Sequence, residues 1–245
     1  MANRTLSTVI VPAAGKSQRF ADAGIEGHKA LIKFHWRNHH GTMFDHILRD
    51  LEKDHLIWIG VNGLDVFTVR DYVVDVGLTE GQADTVHRML LKLNKNGPVL
   101  VLNCDAGFDY PLELFEQQCM STGLAYGALV FPGNEERQYS YVDNYPLFLS
   151  AAEKNPISSW AMAGAYWFSS SKELASVFEH QFLNGTKHSG EFYLSGTFQM
   201  MRGPGLAVAM ERKQLHVWGT PEDLARDPTV RITHNRLALI LEKLK

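Results

Sequence analysis

The chain has 245 residues, 45% hydrophobic and 21% charged, with a formal net charge of −3. This balance suits one large α/β domain with a substantial core. The lack of a basic stripe argues against nucleic-acid binding, and no apolar run is long enough to span a bilayer. Two cysteines, Cys104 and Cys119, provide neither a disulfide framework nor zinc spacing. Residues Met1 to Thr5 lack a signal-peptide shape, so a cytoplasmic protein is expected.

Ser7 to Pro12 reads as a buried strand. Met43 to Lys53 has Phe44, Ile47, Leu48 and Leu51 at helical spacing, and His55 to Val61 reads as a second strand. Asp65 to Val74 leans to helix. Gln82 to Asn94 is an amphipathic helix burying Val86, Met89, Leu90 and Leu93. Gly97-Pro98 breaks the chain before a third, continuously apolar strand, Val99 to Asn103. A helix, Leu112 to Ser121, and a fourth strand, Ala125 to Phe131, follow. This alternation predicts an α/β fold: a Rossmann-like, mixed but mainly parallel sheet flanked by helices. Beyond the polar turn 132–137 the pattern becomes mixed α+β. The expectation is a single domain, 1–245, with two halves, 1–131 and 132–245.

In such sheets ligands sit beyond the carboxyl ends of the strands. The first strand runs into Ala13-Ala14-Gly15-Lys16-Ser17-Gln18-Arg19-Phe20, with Lys29 shortly after. Small residues let backbone N–H groups approach phosphate oxygens, while Lys16, Arg19 and Lys29 neutralise them. A strand-to-helix turn with solvated charges is the plainer alternative. The loop is not an ATPase P-loop, because Val11 stands where the first glycine belongs, nor is it a dinucleotide fingerprint. Asp105 ends the apolar strand Val99-Leu-Val-Leu-Asn-Cys-Asp. A carboxylate there needs a cation or good donors, and Mg²⁺ carried by nucleotide phosphates suits it; a turn or N-cap aspartate is the alternative. The 11 histidines show no zinc spacing, and His39, His40 and His46 read as surface or satisfied core residues. No Gly-x-Ser-x-Gly elbow is present, which argues against a serine hydrolase.

The first loop resembles the signature of the nucleotidyltransferases that make activated sugars and alcohols: an apolar strand, Ala-Ala-Gly-x-Gly-x-Arg-Phe, then Pro-Lys. Here Ser17 replaces the second glycine and His28-Lys29 replaces Pro-Lys. The resemblance extends over about residues 7–225. It implies a GT-A-like nucleotidyltransferase fold, with Ala13, Ala14, Gly15, Ser17 and Gln18 as phosphate-loop residues. Gly81-Gln82-Ala83 resembles the nucleobase segment, and Asn103-Cys104-Asp105 matches an Asn-x-Asp pattern that makes Asp105 the Mg²⁺ ligand. Glu153-Lys154 resembles the acceptor-contacting Glu-Lys element, and Gly164 the glycine of the acceptor pocket. Many relatives carry an aspartate two residues before Gly219-Thr220, where this chain has Val217. Glu191 then becomes the candidate second metal ligand, with Asp109 a weaker one.

The activity implied is Mg²⁺-dependent transfer of a nucleotidyl group from an NTP to a phosphorylated small acceptor, with CTP or UTP/dTTP favoured over purines. A sugar 1-phosphate is the family's commonest acceptor. Cytidylyltransfer to phosphocholine or a phosphorylated amino-acid derivative is the alternative, and the aromatics Trp160, Tyr166, Trp167, Phe192 and Tyr193 bear on it as faces for a cationic head group or a sugar. A GT-A glycosyltransferase fits less well, because Asp105-Ala106-Gly107 lacks the second aspartate of its metal motif. A non-catalytic nucleotide-binding subunit is the remaining alternative. The aromatic-rich second half suits a homodimer face.

Overall fold

The computed structural model describes residues 6–49, 51, 55–63, 72–184, 187–232 and 235–243. In chain order the elements begin with β1 (Thr8–Pro12), α1 (Gln18–Asp22), a 3₁₀ turn at Lys29–Leu31, β2 (Lys33–Trp36), β3 (His39–Thr42), α2 (Met43–Leu48), β4 (Ile57–Val61) and β5 (Tyr72–Asp75). Next come α3 (Gln82–Leu93), β6 (Val99–Leu102), β7 (Ala106–Phe108), α4 (Leu112–Thr122), β8 (Tyr126–Pro132), β9 (Tyr141–Val142), β10 (Leu147–Phe148), β11 (Ala151–Ala152) and β12 (Trp160–Phe168). The chain continues with α5 (Ser171–Leu183), α6 (Leu194–Phe198), β13 (Gly205–Ala209), a 3₁₀ turn at Arg212–Gln214, β14 (Leu215–Val217), α7 (Pro221–Arg226), β15 (Val230–Arg231) and α8 (Asn235–Glu242).

Two compact units emerge. The first comprises Met1–Gly15, Glu52–Asn103 and Leu112–Arg212. It holds a ten-stranded sheet in the order β10-β13-β8-β12-β6-β1-β4-β5, with β9 and β11 alongside. The β6-β1-β4-β5 strands are mutually parallel, as their near-continuous apolar runs require when helices flank the sheet. All four residues of β6 are buried. The expected α3 helix buries the expected Val86, Met89, Leu90 and Leu93, together with Ala83, Asp84 and Thr85. The sequence pattern did not reveal that β12 inserts antiparallel between β6 and β8, because a fully buried strand reads the same in either direction.

The second unit comprises Lys16–Leu51, Cys104–Pro111 and Lys213–Lys245. Its β15-β2-β3 sheet and β7-β14 ladder enclose an aromatic cluster. Trp218 meets Phe34 and Trp36 with ring centroids 5.0 Å away in each case. Gly107 admits the Trp218 ring: a Cβ there would stand 2.4 Å from it. α2 begins at Met43 as expected, capped reciprocally by Thr42 and Asp45, and its last residue is Leu48. Expected helix residues 50 and 52–53 lie outside the described residues.

The helix expected over Asp65 to Val74 is corrected where it can be seen: Tyr72–Asp75 is strand β5, paired in parallel with β4. The cluster Tyr72-Val-Val has the β-branched and aromatic character of an edge strand, and residues 65–71 lie outside the described ones. Among the described residues no helix is long and apolar enough to cross a membrane.

Candidate active site

The first strand delivers Ala13 and Ala14 as buried residues, and the Ala13 N–H donates to the Gly60 carbonyl at 2.7 Å. Gly15, Lys16, Gln18 and Arg19 are exposed. Gln18 is drawn along α1, its amide donating to Asp22 at 2.7 Å.

Both departures in the loop have a structural explanation. Ser17 sits at φ 54°, ψ 31°, the left-handed region that a glycine adopts freely. Its hydroxyl accepts the Lys29 backbone N–H at 2.9 Å, a bond that glycine could not make. His28 has φ −81°, close to the value a proline would enforce, and its Nδ1 accepts the Ala30 N–H at 3.2 Å to cap the 3₁₀ turn. Lys29 is thus held at both flanks.

The Lys29 ammonium donates to Asp105 Oδ2 at 2.5 Å, with side chains 20% and 23% exposed. Burial works against the ammonium, but the Asp105 carboxylate outweighs it and holds Lys29 above the usual lysine range. Lys29 is therefore a permanent cation. The neighbouring Cys104 thiol is pushed by burial up to about 11 and stays protonated at neutral pH.

Asp105 lies just before β7, and its carbonyl accepts the Trp218 N–H at 2.8 Å. A Cβ at Gly219 would stand 3.1 Å from Asp105 Oδ2, so glycine leaves a space over the carboxylate. Among the described residues no group of three or more His, Cys, Asp or Glu side chains could by itself hold a metal. One carboxylate beside an open cradle does fit Mg²⁺ that arrives on nucleotide phosphates, since that ion keeps few protein ligands.

Asp109, the weaker candidate ligand, is engaged by Arg37 and by His216 Nε2 at 3.0 Å. Of the histidines set aside, His39 and His40 are exposed and His46 is buried. His46 bonds the Phe34 carbonyl at 3.0 Å through Nε2, while its Nδ1 finds no partner among the described residues, so it is a core residue only half satisfied.

The remaining candidates belong to the first unit. Gln82 opens α3 and donates its amide to Asn103 Oδ1 at 2.5 Å. The Asn103 N–H donates to the Gly164 carbonyl at 2.8 Å. Ala83 is fully buried. Glu191 is exposed, and its Oε2 accepts the Tyr193 hydroxyl at 2.8 Å. Glu153 accepts hydroxyls from Ser140 and, at 2.7 Å, from Ser195. Lys154 has φ 51°, and its ammonium stands 5.3 Å from the Tyr193 ring centroid. That face thus already carries a cation. Tyr166, Trp167 and Phe192 are core residues, 6%, 3% and 4% exposed.

Sequence reasoning missed the strap that joins Phe192 to the start of α3. The Phe192 N–H donates to the Glu80 carbonyl at 2.7 Å, and its carbonyl accepts the Ala83 N–H at 3.0 Å. The isolated Gly81 was the only available signal.

The sequence matches no protein-family model and no curated protein. Solved structures share the fold. A nucleoside-diphosphate-sugar pyrophosphorylase from Vibrio cholerae RC9 superposes with a TM-score of 0.74 at 20% identity, covering 88% of this chain and 97% of that one. A UDP-glucose pyrophosphorylase complexed with UDP-glucose gives 0.70 at 12% identity, covering 89% and 95%. The UDP-glucose pyrophosphorylase from Acinetobacter baumanii gives 0.68 at 15% identity, covering 98% and 100%. At these identities the likeness is one of fold.

Proposed function

We propose that this chain is a Mg²⁺-dependent nucleotidyltransferase, joining an NTP to a phosphorylated small acceptor, a sugar 1-phosphate in the leading case, with release of pyrophosphate. The observation that carries the reading is the Lys29–Asp105 pair, built from the cationic first loop and the β6–β7 turn. The fold shared with nucleoside-diphosphate-sugar pyrophosphorylases supports it.

The acceptor's phosphate is already ionised at neutral pH and attacks the α-phosphorus in line, so no strong general base is required. Catalysis is then alignment and charge neutralisation. Lys16 and Arg19 hold the β- and γ-phosphates and the departing pyrophosphate. Lys29, cationic at every working pH, neutralises charge developing at the α-phosphate. The main chain at Ala13, Ala14 and Gly15 and the side chains of Ser17 and Gln18 line the phosphate loop. Gln82, Ala83 and Asn103 serve the nucleobase, with pyrimidines preferred. Lys154 binds the acceptor phosphate, and Glu153 and Gly164 shape its pocket. Asp105 would hold Mg²⁺, and the ion would supply charge neutralisation on the triphosphate. In this reading residues 1–131 serve the nucleotide and 132–245 the acceptor in a single cytoplasmic domain, and the product feeds nucleotide-sugar or cell-surface polysaccharide synthesis.

The test is pyrophosphate release with Mg²⁺, each of the four NTPs being offered with pooled sugar 1-phosphates and small phosphorylated alcohols and amino acids. Turnover is expected with one NTP and one pool. Lys29→Ala and Asp105→Ala should each lose most of it while retaining the wild-type circular dichroism. Silence across the whole grid, or normal turnover in either variant, refutes the assignment.

A further inference from the structure

Two primary amides meet in the first unit. Gln82 opens α3, Asn103 follows β6, and the Gln82 Nε2 donates to Asn103 Oδ1 at 2.5 Å. Each is held by backbone next to a glycine that tolerates no side chain. On the Asn103 side, a Cβ at Gly164 would stand 2.8 Å from Asn103 Nδ2 and 2.9 Å from its Cγ. Gly164 has φ +94° and lies where the β12–β8 register shifts between Met162 and Tyr166, so an irregularity in β12 makes the room that the Asn103 side chain occupies. On the Gln82 side, Gly81 has φ +119°, and a Cβ there would stand 2.6 Å from the Phe192 carbonyl oxygen and 2.7 Å from its nitrogen.

A glutamine amide can turn over, exchanging an acceptor for donors at nearly the same place. Pairing with Asn103 removes that freedom, because two facing amides can turn only together, and the pair is set in one sense, Gln82 Nε2 to Asn103 Oδ1. The Gln82 side-chain carbonyl takes no hydrogen bond among the described residues. We infer that Asn103 is a positioning residue that locks the Gln82 amide with its carbonyl toward the nucleobase, where it accepts an N–H of the base edge. For a pyrimidine that donor is the imide N–H of uracil or thymine, or the exocyclic amine of cytosine. The inference rests on the nucleotide reading above and adds to it the device that sets base preference.

The experiment is calorimetric binding of each of the four NTPs with Mg²⁺ and no acceptor, in the wild type, Asn103→Leu and Asn103→Asp. Leucine has similar bulk and offers no acceptor. The Asn103→Leu variant should narrow the affinity gap between the best and worst base by about tenfold, the worth of roughly one neutral hydrogen bond. The aspartate can only accept, so Asn103→Asp should keep the wild-type order of bases while its charge weakens all four alike. Gly164→Ala, which pushes Asn103 aside, should reproduce the Asn103→Leu pattern and stands in for it if that variant does not fold. A wild-type gap retained in Asn103→Leu, or lost equally in Asn103→Asp, overturns the inference. Nucleotide binding without pyrophosphate release in any combination would remove the proposed activity, and this comparison would still decide the amide lock. A wild type that binds no NTP removes both.

Discussion

The substitution Asp227→Asn tests the electrostatics of the second unit quantitatively. His216 lies between two carboxylates, Nδ1 at 3.0 Å from Asp227 Oδ2 and Nε2 at 3.0 Å from Asp109 Oδ2, with its side chain 8% exposed. An imidazole with an acceptor at each nitrogen is a double donor and therefore protonated. Burial opposes its charge, but the bonds to Asp227 and Asp109 prevail and raise His216 above its ordinary 6.5. For Asp227 burial acts upward, and the bonds from His216, Thr229 and Trp218 overcome it, bringing the carboxyl from 3.8 down to about 2. The Asp227 side chain is 6% exposed, so solvent screens little of this.

A carboxyl brought from 3.8 down to about 2 corresponds to about 2–3 kcal/mol of stability. The carboxylate's contribution is complete above its unfolded value and is lost as pH falls through about 2. The histidine's contribution is complete below 6.5 and is lost as pH rises through its raised value. Both are therefore present from about pH 4 to about pH 6.5. Asp227→Asn should lower the melting temperature by roughly 5–10 °C near pH 5.5, and the difference should be smaller at about pH 9, because raising the pH drives the imidazole toward its neutral form. The assay is paired thermal and urea unfolding of both proteins at the two pH values. A difference below about 0.5 kcal/mol near pH 5.5, or one that grows toward alkaline pH, refutes the reasoning.

Phe198 is fully buried, stacked on Phe168 at 5.6 Å and edge-on to Phe148 at 5.4 Å, so Phe198→Ala should cost about 3–5 kcal/mol in urea unfolding. Glu116 is also fully buried; its Oε1 accepts the Ser7 N–H at 2.6 Å and its Oε2 lies 3.2 Å from His55 Nε2. A glutamine has only one oxygen for these two tasks, and Glu116→Gln should lose about 1–3 kcal/mol by the same measurement. Chelation with EDTA should abolish pyrophosphate release and leave the melting temperature of the nucleotide-free protein unchanged, because the described residues contain no cluster able to retain a metal by themselves. A large fall in melting temperature on chelation would contradict this account.

Much of the architecture is local and was legible in the residues. A short continuous apolar run such as Val99 to Leu102, entered through Gly97-Pro98, reads as a strand buried on both faces, and the helical spacing of Val86, Met89, Leu90 and Leu93 defines one packed face. Lys29 and Asp105 were singled out because cations in a small-residue loop and a carboxylate at a buried strand end need a counterpart. That each answers the other at 2.5 Å is a tertiary fact. Other features depend on elements remote in the chain, for which local pattern carries no signal. The antiparallel insertion of β12, the paired Gln82 and Asn103 amides and the clamping of His216 by Asp109 and Asp227 all arise where distant segments meet. Residue type alone could state which groups must be paired or neutralised. The tertiary structure decided which partner does so, because a hydrogen bond or ion pair depends on separation in space and not along the chain.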